Sequence, residues 1–121
     1  MTQTTIDSVE LETRLLEAFA SRGQAPTAAA RIAAAAIVAA ERVGMPEFGV
    51  SLALGALAAA DMRWGGQIPQ TEHGTAIVLD AAGLFAPIVF AEAALIASAR
   101  ADAAGIGIVA VTAPGSLGRI A

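Results

Sequence analysis

The sequence has no cysteine, no lysine and no tyrosine, and its only histidine is His73. Without cysteine there is no disulfide framework, and the composition suits a reducing cytoplasm. A structural zinc site needs several nitrogen or sulfur ligands, so that class is excluded. Basic residues are seven scattered arginines: Arg14, Arg22, Arg31, Arg42, Arg63, Arg100 and Arg119. No basic patch exists to meet a phosphate backbone, so nucleic acid is not an expected partner. Aromatics make up only 4% of the chain, which predicts closely packed helices rather than a bulky aromatic core. Long apolar runs are also lacking, despite a mean hydropathy of +0.67. Arg31 and Glu41 bracket one apolar stretch, and Asp80 and Glu92 another. A membrane span needs about 20 predominantly apolar residues, so none is expected. The first residues, MTQTTIDSVELE, lack the basic and apolar regions of a signal peptide.

What is present is alanine. Hydrophobic residues account for 56% of the 121 positions, charged ones for 15%, and the net charge is −4. Alanine favours helix and demands little space. With so few charges to solvate its outside, the chain is expected to bury part of its surface between subunits.

The sequence pattern predicts an α/β chain: three helices followed by a β-α-β unit. Asp7 is an N-cap with Glu10 at the capping-box position, opening a helix over about Ser8–Arg22. Leu11, Leu15, Leu16 and Phe19 supply its apolar stripe, Glu10 and Arg14 an i,i+4 pair, and Gly23 its stop. A second helix runs from about Pro26 to Val43, with alanine nearly all round, which suggests burial on more than one side. Gly44 ends it. Pro46 opens a third helix, from about Glu47 or Val50 to Arg63, and WGGQIPQ reads as a loop. Thr75–Asp80 reads as a strand. A long helix follows, with Pro87 near its start and Gly105 after its end, and Ile106–Val111 is the second strand. If the two strands share a sheet, the crossover is long enough for them to be parallel. Residues 1–66 form the helical, dimerising segment of this reading, and residues 67–121 the β-α-β segment.

Chemistry-bearing candidates are few. His73, before a glycine in TEHGT, is either a general base or a solvated turn residue; nothing stands beside it in sequence. Glu47, at a helix start, suits the helix dipole. Ser51 and Ser116 have no adjacent base. Glu92, Arg100 and Asp102 read as solvated charges on a helix. The ending APGSLG is neither a dinucleotide-binding fingerprint nor a phosphate loop. A phosphate site there would also need a following helix to offer its amides.

Three stretches together carry a wider resemblance. AAERVGMPEFGV, GTAIVLDAAGLFAPIVFAEA and ADAAGIGIVAVTAPGSLG, in this order, resemble the N-terminal part of the malate/L-lactate dehydrogenase family. This is the non-Rossmann group of NAD(P)-dependent oxidoreductases that includes ureidoglycolate and sulfolactate dehydrogenases. The resemblance implies NAD or NADP as cofactor, a homo-oligomer, and a further domain that binds the nicotinamide. In that family a serine-histidine-glycine turn supplies the catalytic acid/base; Glu47, Phe48 and Gly49 stand at those positions here. An arginine that would hold a substrate carboxylate is matched by Leu52. An asparagine-serine pair, then a histidine before a glycine, is matched by Ala113, Pro114, Ser116 and Gly118, with Gly118 the implied cofactor contact.

Every polar position placed in this way is altered. The resemblance therefore implies a truncated or diverged dehydrogenase, inactive alone, which a second polypeptide carrying the cofactor domain would complete. Two alternatives stand beside it. One is a non-catalytic oligomerisation or scaffold module. The other is a binder of apolar small molecules at a pocket from which histidine and arginine have been lost.

Overall fold

The computed structural model describes residues 7–112. Asp7 caps helix α1 (Ser8–Ser21) by accepting from the Val9 amide at 2.9 Å. Glu10 turns to Arg14 instead, at 2.8 Å, as the expected i,i+4 pair. The helix closes with a Schellman turn: Gly23, at φ +102°, donates to Ala20, and Gln24 donates to Phe19. Helix α2 (Ala28–Arg42) starts two residues after Pro26 because the Thr27 hydroxyl caps the Ala30 amide. It buries Ala29, Ala30, Ala33, Ala34, Ile37 and Val38. Burial on more than one side, expected from its alanines, is not what this chain provides. Ile32, Ala35, Ala36 and Ala39 form an exposed stripe on the opposite face.

The third helix is shorter than expected. A 3-10 turn (Pro46–Phe48) precedes α3 (Val50–Ala58), which stops five residues before Arg63. Alanine propensity favours continuation, but tertiary hydrogen bonds recruit the Arg63 backbone elsewhere. Its amide donates to the Gly83 carbonyl, and its own carbonyl accepts from Phe85. The Arg63 guanidinium also donates to the carbonyls of Gly65 (2.9 Å), Ala81 (3.0 Å) and Gln67, pinning the loop.

WGGQIPQ is loop as far as Pro69, and only its last residue, Gln70, belongs to a strand. Strand β1 (Gln70–His73) forms an antiparallel hairpin with β2 (Ala76–Asp80), and β2 pairs in parallel with β3 (Ile108–Thr112) across helix α4 (Ala86–Ala104). The expected β-α-β unit is thus present, with one more strand at its edge. All four β1 residues are exposed, so no apolar alternation announces it. β3 begins two residues later than expected because Gly107 passes against the α4 backbone. A Cβ there would lie 2.8 Å from the Ala97 carbonyl carbon and closer still to its oxygen.

One face of the sheet packs on α4, burying Ile77, Leu79 and Ala93. The main core joins α1, α2, α3 and α4 and crosses residue 66. At its centre are Phe19, Trp64 and Phe85, with ring centroids 4.7–5.5 Å apart. Three of the scarce aromatics are concentrated here, so the closely packed helices expected from composition do enclose an aromatic centre. Burying each phenylalanine side chain contributes about 1.5–3 kcal/mol.

Candidate functional site

The turn between α2 and α3 holds Glu47, Phe48 and Gly49, the positions that the resemblance would give to an acid/base. α2 ends in a second Schellman turn: Gly44, at φ +76°, donates to Glu41, and Met45 donates to Ala40. The chain reverses there, and the Phe48 amide closes the 3-10 turn on Met45 at 3.1 Å. Glu47 is exposed, and Phe48 is 38% exposed. Gly49 is buried, and Leu52 is 9% exposed as a member of the main core. Gly49 also provides the first carbonyl of α3, accepting from Leu52 and Ala53.

The chemistry of this turn is limited. A phenyl ring neither gives nor takes a proton. Leu52 cannot form the bidentate pair an arginine makes with a carboxylate, and its side chain is committed to packing. Glu47 is a carboxylate open to water near a helix start. One carboxylate does reach inward: Glu41, on α2, accepts from the Val50 amide at 2.7 Å and so caps α3 across nine residues of sequence. Sequence reading did not single out Glu41, because no local pattern links an acid to an amide so far along the chain.

Of the remaining candidates, Ser51 adjoins the turn, and the others lie apart from it in the chain. His73 is exposed at the end of β1, beside a hairpin loop in which Gly74 has φ +61°. Ser51 is exposed on α3, and Asp102 is exposed on α4. Arg100 meets Glu72 at 3.5 Å, an open ion pair of little energetic weight. Glu92 is half-buried and, with Gly66, Gln67, Ile68 and Gln70, lines a shallow cavity of about 310 Å³. None of the family-matching positions lines that cavity. Ala113, Pro114, Ser116 and Gly118 lie outside the described residues. Among the described residues no cluster of three or more His, Cys, Asp or Glu could hold a metal, and no helix is long and apolar enough to cross a membrane.

No protein-family model matches the sequence, and no curated protein does. Solved structures do. Malate dehydrogenase from Entamoeba histolytica superposes with a TM-score of 0.80 at 17% identity, over 97% of this chain and 34% of that one. Malate dehydrogenase from Pyrococcus horikoshii OT3 gives 0.77 at 19%, over 95% and 34%. Delta1-piperideine-2-carboxylate reductase from Pseudomonas syringae pv. tomato gives 0.68 at 24%, over 90% and 34%. The fold is that of the N-terminal third of a malate dehydrogenase. The described part of this dehydrogenase fold extends from α1 to β3, and the chain spans about a third of the length of the structures it matches.

The described residues of the turn do not fit nicotinamide chemistry by themselves. Hydride transfer needs an acid/base beside the reacting oxygen or nitrogen. Phe48 and Leu52 provide neither a proton nor a charge, so no step is assigned to them.

Proposed function

We propose that this chain is a diverged relative of the malate/L-lactate dehydrogenases that is inactive alone and serves as one part of a split NAD(P)-dependent oxidoreductase. The observation that carries this reading is the pairing of the fold of a malate dehydrogenase's N-terminal third with Phe48 at the position the resemblance gives to the acid/base. The scaffold of the turn is kept, while its proton-transfer group is replaced by a phenyl ring. A second polypeptide in the cytoplasm would bring the nicotinamide and the missing polar groups.

The test is a titration of the purified chain with NADH and NADPH, followed by nicotinamide fluorescence, alongside a measurement of its mass in solution. The expected result is a folded chain with no change in nicotinamide emission. Enhanced, saturable emission would overturn the reading that this chain is incomplete alone.

A second reading, a non-catalytic oligomerisation module, is favoured by the exposed α2 stripe. Ile32 is 42% exposed there, and Val43, just past the helix end, is 69% exposed. On this reading two copies pack these small side chains together, and Ile32→Arg converts the assembly to a monomer in light scattering. A wild-type chain that is monomeric at tens of micromolar would exclude it. The third reading, an apolar ligand at Phe48 and Leu52, is weakened because Leu52 is already filled in by the core.

A further inference from the structure

Gly49 has an ordinary negative φ of −102°, so the requirement for glycine there does not come from a left-handed backbone. It comes from a neighbour. A Cβ on Gly49 would lie 2.8 Å from both Cγ and Cδ of Glu41, and within overlap of the Oε1 that accepts from the Val50 amide. The Glu41 side chain lies across the bare α-carbon of Gly49 to reach that amide. Gly49 itself offers no side chain with which to cap α3.

From this geometry we infer that Glu41 and Gly49 form a latch: α2 supplies the N-cap of α3, and the missing side chain at position 49 is the channel through which it does so. The latch holds both ends of the segment that displays Phe48. One end is fixed by the Schellman turn at Gly44, the other by the Glu41 cap, and both anchors belong to the last turn of α2. Glu41 is thus a positioning residue for the Phe48 turn. The amide a helix N-terminus would otherwise offer to an anion is occupied by an internal carboxylate. The latch operates whatever ligand or partner the turn meets, so its failure and that of the split-enzyme reading are separable.

The obstacle at Gly49 is the far end of a flexible side chain. An alanine there can be accommodated if Glu41 swings away, but the cap is then lost. This predicts strong coupling between the two positions, measurable in a double-mutant cycle. Gly49→Ala should lower the folding equilibrium constant about fivefold, the usual worth of a cap. In a Glu41→Ala background, where no cap remains to be displaced, the same change should cost less than about twofold. Native-state hydrogen exchange at the Val50 amide should accelerate by a similar factor in either single variant. Glu41→Gln, which keeps an acceptor oxygen, should preserve most of that protection. Equal penalties for Gly49→Ala in both backgrounds would overturn the latch. Should Gly49→Ala not fold, the exchange comparison decides alone: Val50 protection that is undiminished in Glu41→Ala overturns it, and protection lost in Glu41→Ala but kept in Glu41→Gln supports it.

Discussion

Gly49 and Gly107 both stand where a β-carbon has no room, yet the two crowded places differ in kind. At the α2–α3 turn the obstacle is the end of the Glu41 side chain, which can rotate away. At the α4–β3 junction it is the backbone of Ala97, carbonyl oxygen, carbonyl carbon and α-carbon together, which cannot move without moving α4. The first glycine enables a hydrogen bond. The second lets a strand leave the helix closely enough to pair with β2. Close approach alone therefore does not rank positions; what must yield does.

The largest expected effect follows from this difference. Gly107→Ala should destabilise the fold by about 3 kcal/mol, at the upper end of overpacking costs, because helix and strand must separate. Chemical denaturation measures it, and a loss below that of Gly49→Ala would reverse the ranking. Gly49→Ala should cost about 1 kcal/mol, the loss of a cap. A third position extends the contrast with the opposite sign. Ala82 has φ +46°, a left-handed conformation disfavoured for a residue with a β-carbon, in the turn after β2. Ala82→Gly should stabilise by about 1 kcal/mol, reading the relief of backbone strain where side-chain contact is not the constraint. An unchanged or lowered melting temperature would contradict this.

The smallest effects concern chemistry. His73→Ala should leave stability within about 0.5 kcal/mol of wild type, since the residue is exposed at a hairpin end. A large loss would mean the hairpin matters more than its exposure suggests. On the split-enzyme reading, in which a second polypeptide brings the nicotinamide, Phe48→His should place an imidazole on the turn without creating NADH-dependent reduction of 2-oxo acids. Turnover by that variant in a spectrophotometric assay would sink the split-enzyme reading.

The elements that were legible in the sequence carry local signals. α1 announces itself through Asp7, its leucine stripe and Gly23. α4 does so through Pro87 and Gly105, and β2 through its β-branched residues. β1 was not legible, because Gln70, Thr71, Glu72 and His73 bury no face and owe their extension to pairing with β2. The stop of α3 at Ala58 was equally hidden, since it depends on Arg63 bonding to a segment about twenty residues away. In the candidate site, the positions Glu47, Phe48, Gly49 and Leu52 could be placed from the order of the stretches around them. That Leu52 would sink into the core could not.

By itself the sequence determined which residues could form helices and strands, and that the turn around Phe48 carries no imidazole. Those properties reside in single residues and their near neighbours, through propensity, capping and side-chain chemistry. The tertiary structure alone decided that three scarce aromatics meet at the centre and that α2 leaves one face uncovered. It also decided that Glu41 reaches over Gly49 to hold the turn. Each of these depends on groups brought together by packing, and no local pattern records a contact that the chain makes only once it has folded back on itself.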